Sequence, residues 1–130
     1  MTLAEPRSAP AERLELVLRR IARQLDLSAM VVGDRNGLPI ASFSRADHSL
    51  AATAMATMIL YAAENVAANL GLVGQEDVLV EGRGWKVLVR ALGDGFTLLA
   101  VMEGEVNLGL LRLEIARAIP QLKELLGAMG

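Results

Sequence analysis

Residues 47–70 read DHSLAATAMATMILYAAENVAANL, with no Pro and no Gly. The stretch is rich in Ala, Met and Leu, all strong helix formers. Asp47 stands where an N-cap belongs, and Gly71 where a helix C-terminal glycine belongs. A helix of roughly 36 Å is predicted at the standard rise. Its constraint on the fold is its lack of charge. Past the cap the only formal charge is Glu64, with His48 and Tyr61 the only other ionisable groups. A helix lying on a soluble domain carries one apolar stripe and a charged opposite face. This one cannot meet that description.

Stepping the residues at 100° around the axis gives two apolar sides. Ala51, Met55, Ile59, Ala62, Val66 and Leu70 form one stripe, read as the core side. Leu50, Thr53, Thr57, Leu60, Tyr61, Glu64 and Ala68 fall opposite, a small and mildly polar surface suited to another helix. Two coverings satisfy such a helix: burial on both sides within one domain, or burial against a second protein chain. The chain offers few other elements to cover it, which favours the second chain.

The remainder of the chain bounds the choices. With 130 residues it is one domain of ordinary size. Residues 1–9 read as a mobile lead-in and 10–130 as a single domain. Aromatics are scarce, so the core is aliphatic. The balance of 13 basic and 15 acidic residues, net −2, gives no electrostatic case for nucleic acid or an anionic membrane. The absence of cysteine excludes disulfides, thiol catalysis and thiolate metal sites. No apolar leader is visible at the N-terminus, and no run is long enough to span a bilayer; a cytoplasmic location is expected.

In order, Pro10 suits the first turn of a helix whose Leu14, Leu18, Ile21 and Leu25 recur at helical spacing. Its other face carries Glu12, Arg13, Glu15, Arg19, Arg20 and Arg23, an ordinary wet face. Residues 29–32 and 38–43 are apolar runs flanking Asp34-Arg35-Asn36-Gly37, a strong hairpin signal. Pro39 lacks an amide donor, so the second strand belongs at an edge. After the long helix come a strand at 77–81, the turn Gly82-Arg83-Gly84, a strand at 85–91, the turn Gly93-Asp94-Gly95, and an apolar strand at 96–102 with the pattern of a covered central strand. A helix over 107–126 closes the chain, with Pro120 expected to bend it or start a new turn. Short turns join neighbouring strands, so the sheet is mostly antiparallel with helices on both faces.

This order, with the phrases DRNGLPIAS at 34–42, VLVEG at 78–82 and NLGLLRLEI at 107–115, resembles the Roadblock family of dynein light chains and their bacterial relatives. The likeness runs from about residue 11 to about residue 126. It implies an α+β fold of order αββαβββα, a five-stranded antiparallel sheet with the long second helix on one face and the first and third helices on the other. It further implies dimers in which the third strands, here carrying Val78 and Val80, pair edge to edge and the second helices lie side by side. Bacterial members of the family, one of them a regulator of gliding motility, are commonly partners of small Ras-like GTPases. The resemblance implies such a partner, remodelled without an inserted arginine.

Other chemistries find little support in the residues. No GxxxxGK[ST] loop is present, and Gly82-Arg83-Gly84 joins two strands, so neither a phosphate loop nor a dinucleotide site is indicated. His48 with Ser49 beside it makes no triad, and a lone histidine in a first helical turn reads as a surface residue. Glu76 with Asp77, and Glu103 with Glu105, read as solvated loop pairs. Arg83, on an exposed turn, is the best arginine-finger candidate if one exists, against a plain solvated turn residue. Arg19, Arg20 and Arg23 read as a wet helix face. Trp85, the one tryptophan, is either core or an interface anchor.

The expected function is therefore a non-enzymatic homodimeric regulator of a small Ras-like GTPase, with no cofactor, no metal, no nucleic acid and no membrane insertion. A passive dimerisation scaffold is the alternative, and a small-ligand sensor a third. The expected interface is Leu50, Thr53, Thr57, Leu60, Tyr61, Glu64 and Ala68 of the second helix, with Val78 and Val80 of the third strand.

Overall fold

A computed structural model describes residues 9–45 and 49–129, with the side chains of 49–51 outside that description. Residues 1–8, the Asp47 cap and His48 therefore lie outside the described residues, as does the side chain of Leu50. Eight elements follow in the order α1 (Ala9–Leu25), β1 (Ala29–Gly33), β2 (Pro39–Ser44), α2 (Ser49–Asn69), β3 (Val78–Gly82), β4 (Trp85–Gly93), β5 (Phe96–Glu103) and α3 (Leu108–Ala128). The strands form one antiparallel sheet in the order β2-β1-β5-β4-β3. Pro39 sits on an edge strand, where its missing amide costs the ladder least. The apolar β5 is central, paired with β1 on one side and β4 on the other.

Alternation along the strands sorts the core into two layers. Met30, Val32, Leu88, Leu98, Ala100 and Met102 face α1 and α3, against Leu14, Leu18, Ile21, Leu111, Ile115 and Leu122. Val31, Val89 and Leu99 point the other way, toward Ala56 and Leu60 of α2. The α1–α3 layer is large and fully sealed. The α2 layer is thin.

Local chemistry fixes the ends of the elements. The Asp34 carboxylate accepts from the amides of Asn36 at 2.8 Å and Leu38 at 3.0 Å, and Gly37 takes the left-handed conformation, φ 79°, that closes the β1–β2 turn. At the end of α2, the Leu72 amide bonds the Ala67 carbonyl at 2.8 Å and the Gly71 amide bonds Ala68 at 3.1 Å, with Gly71 at φ 69°. That is the glycine-terminated helix end the sequence leads one to expect. Asn107 caps α3, its side chain accepting from the Leu110 amide at 3.0 Å. Pro120 lies inside α3, which continues through it to Ala128. Of the apolar side expected for α3, Leu110 and Leu113 are exposed while Leu111, Ile115, Ala118 and Leu122 are buried.

The rotation of α2 differs from the sequence reading by about half a turn. Thr53, Ala56, Thr57 and Leu60 are the buried residues, with Leu60 only 5% exposed. Met55, Met58, Val66 and Leu70 face outward, Met58 at 70% and Val66 at 60%. The expected core stripe is thus the outer stripe, and Thr53, Thr57 and Leu60, expected at an interface with another chain, pack on this chain's own sheet. The reason is steric. A Cβ added to Gly33 would lie 2.3 Å from Thr53 Cγ2, and one on Gly37 would lie 2.9 Å from Ala54 Cα. The helix approaches the β1–β2 hairpin so closely that only small side chains fit between them. Methionine on that side would hold the helix off the sheet and leave a void.

Candidate protein-interaction site

The outer stripe of α2 is the largest uncovered apolar feature of a helix in the described structure. Met55, Met58, Ala62, Val66 and Leu70 recur at three- and four-residue spacing and are exposed together, with Ile59 half-buried among them. No charged side chain interrupts the stripe. Isolated exposed apolar residues are normal, but a continuous uncharged row is an interaction surface by composition.

The sheet beside it is only half covered. Val78, Val80 and Gly82 of β3 pair with Val89, Val87 and Trp85 of β4, which places all six on the α2 side of the sheet. Val89 is buried, whereas Val78, Val80, Val87 and Val101 are half-buried. Trp85 is 42% exposed, so it is not a core residue. Its indole lies over Gly82, where an added Cβ would fall 2.0 Å from Cε2. Beyond Val78 and Val80 runs the open edge of β3, whose outer backbone groups have no neighbouring strand among the described residues.

One ion pair braces this edge from behind. Asp77, just before β3, accepts two bonds from Arg112 of α3, from Nε and Nη2, each at 2.9 Å. The Asp77 side chain is 9% exposed, so it is not the solvated loop residue its sequence context suggests. The bond from Asp77 raises the Arg112 guanidinium above its ordinary value, with a smaller coulombic contribution from Asp77 and Glu76. A guanidinium is charged throughout the working range with or without that shift, and its planar fork takes both carboxylate oxygens at once. Nothing in the sequence spacing links positions 77 and 112; only the fold brings them together.

The remaining sequence candidates fall apart from one another. Arg83 is exposed at the tip of the β3–β4 turn, and Glu76, Glu103 and Glu105 are exposed in loops or at a strand end. Arg19, Arg20 and Arg23 lie on the wet face of α1. Tyr61 and Ala68 are exposed on α2, and Glu64 is half-buried. Among the described residues no group of three or more His, Asp or Glu side chains could hold a metal ion, and no helix is long and apolar enough to cross a membrane.

Comparison with known proteins accords with this architecture. The sequence profile of the Roadblock/LC7 domain matches residues 13–103. An uncharacterised protein of Methanocaldococcus jannaschii is 38% identical over 97 residues, 73% of this chain and 80% of its own length. Among solved structures, Myxococcus xanthus MglB superposes with a TM-score of 0.83 at 17% identity, covering 100% of this chain and 97% of its own. The gliding protein MglB of Thermus thermophilus gives 0.81 at 21% identity, covering 94% and 97%. At such identities these structures speak to the fold.

Proposed function

The chain belongs to the Roadblock/LC7 domain family, and from that premise we propose that it is a non-catalytic homodimeric platform in the cytoplasm for a small Ras-like GTPase. The observation that carries the reading is the uncharged outer stripe of α2, continuous with the half-covered valines and open edge of β3. A two-fold axis beside β3 would set the two β3 edges together and lay the two α2 stripes side by side. An MglB of this fold is known in a tetrameric arrangement, which supports self-association as a property of the scaffold. The family resemblance implies a small GTPase as partner, and two α2 helices lying side by side and antiparallel would offer it a platform edged by Tyr61, Glu64, Asn65 and Ala68.

The platform acts by positioning. Arg83, exposed on the β3–β4 turn, has no hydrogen-bond or ion-pair partner among the described residues that would aim it at a phosphate. The test mixes the protein with a small Ras-like GTPase and follows complex formation and GTP turnover. Complex formation is expected, with turnover in saturating Arg83→Ala protein within a few fold of that with the unaltered chain. Loss of a true arginine finger would cost on the order of 10³-fold or more. A collapse to the unstimulated rate would make Arg83 catalytic and overturn positioning. Absence of binding to small GTPases would leave the scaffold reading in its place.

A further inference from the structure

Between α2 and the β4–β5 turn lies a cavity of about 270 Å³ lined by Leu60, Tyr61, Glu64, Asp94, Phe96 and Thr97, with backbone of the turn. Its polar side chains are two carboxylates and two hydroxyls, with no cation among them. Glu64 is the only charge on α2 past its first turn, is half-buried, and makes no ion pair among the described residues. Asp94 sits at the tip of a turn in which Gly93, Asp94 and Gly95 all take positive φ, at 90°, 54° and 84°. Thr97 is 2% exposed, and its hydroxyl has no hydrogen-bond partner among the described residues. Alternation along β5 puts Thr97 on the same face as Leu99, toward α2 and therefore toward this cavity. The cations of β4 cannot answer these groups from within. Lys86 and Arg90 alternate onto the opposite face with Leu88. Arg35 and Lys123 line an adjoining cavity on the α3 side of the turn, which shares Gly93, Asp94 and Phe96, and neither forms an ion pair with Asp94 among the described residues.

We propose that this cavity is a binding site for one organic monocation, a guanidinium or primary ammonium group. Two carboxylates supply charge, Tyr61 and Phe96 supply aromatic walls of the kind that hold such cations, and the buried Thr97 hydroxyl is a waiting acceptor for an N–H donor. A buried hydroxyl left without a partner is uncommon in folded proteins and calls for an explanation such as an absent ligand. The volume falls short of the roughly 300–1,000 Å³ of drug-sized ligands, so the site fits the end of a side chain or a small amine. Two carboxylates without a third ligand suit an organic cation better than a metal ion. The inference stands apart from the GTPase reading, since it needs only this chain.

The probes are propylguanidinium, butylammonium and an end-blocked Gly-Arg-Gly peptide, titrated into the unaltered protein while backbone amide shifts are recorded by NMR. Saturable shifts are expected at Tyr61, Glu64, Gly95 and Thr97, weakening with added salt. Glu64→Gln should weaken binding by roughly tenfold or more. Asp94→Asn should weaken it severalfold while keeping the turn, because Asn tolerates positive φ. Thr97→Val should weaken it without unfolding the chain, since it removes an unpaired hydroxyl at constant shape. Lys123→Ala, on the far side of the turn, should not weaken binding. Tighter capture of the peptide than of propylguanidinium assigns the site to a side chain of a protein partner; the reverse assigns it to a free amine, and either supports the proposal. Shifts scattered away from the cavity, equal binding by Glu64→Gln protein, or the same shifts with acetate in place of the cation would overturn it.

Discussion

Glycines, rather than large apolar groups, decide how the long helix sits. Gly37 takes φ 79° and has Ala54 Cα 2.9 Å from where its Cβ would be, whereas Gly71 takes φ 69° with nothing within 4 Å. The pair separates two costs that usually travel together. Gly71→Ala should lose only the left-handed backbone term, about 1 kcal/mol. Gly37→Ala must in addition push the α2 backbone off the hairpin, for a total of about 2–4 kcal/mol. Urea midpoints with unchanged slopes would read the difference directly. Equal losses at the two positions would mean that the close approach carries no energy. The Asn36-Gly37 turn was legible in the sequence because turn chemistry is local. The second use of Gly37, as a seat for α2, was not, because it depends on a residue seventeen positions away.

That seat explains why the elements of this chain are easier to read than their rotation. Helix and strand positions, the edge placement of the Pro39 strand and the central placement of the 96–102 strand all follow from spacing and turn residues. The facing of α2 does not, since apolar residues surround it and periodicity offers no asymmetry to choose by. Weighting side chains by size selects Met55, Ile59 and Val66 as core; the sheet instead selects the small residues that let the helix come close. The observed rotation sets a pair of mutational expectations. Leu60→Glu now places a carboxylate in the dry layer against Val31, Val89 and Leu99, and should unfold the chain, at a cost of several kcal/mol. Val66→Glu lies on the exposed stripe, should leave circular dichroism and the monomer's core intact, and should weaken self-association. A folded Leu60→Glu protein beside an unfolded Val66→Glu protein would restore the original rotation. The Asp77–Arg112 clamp was likewise illegible, as its partners stand far apart in sequence and each reads alone as an exposed loop or helix charge.

Taken as a whole, the molecule is sealed on one face and open on the other. The α1–α3 layer buries a broad aliphatic core, while α2 covers only part of its side of the sheet and turns its own apolar stripe to solvent. The open β3 edge adjoins that same uncovered side, and Asp77–Arg112 holds the start of the strand in place. One isologous contact would meet both deficits, strand edge to strand edge and stripe to stripe. If that contact forms, unfolding consumes a dimer, and the melting temperature must depend on protein concentration. A hundredfold rise in concentration shifts the equilibrium by about 2.7 kcal/mol per dimer. The melting temperature of the unaltered chain should therefore climb by several degrees between micromolar and high-micromolar solutions. Val66→Glu puts two like charges across the axis, or desolvates both, and should flatten that dependence while sedimentation reports a folded monomer. The stripe and the edge can then be told apart with Val80→Lys, which charges the β3 side while leaving α2 unchanged. Partial flattening by each substitution is the outcome expected if both surfaces belong to a single interface. A concentration-independent melting temperature for the unaltered chain, with a monomer in sedimentation, would show that the open face serves a different protein and would remove the dimeric platform.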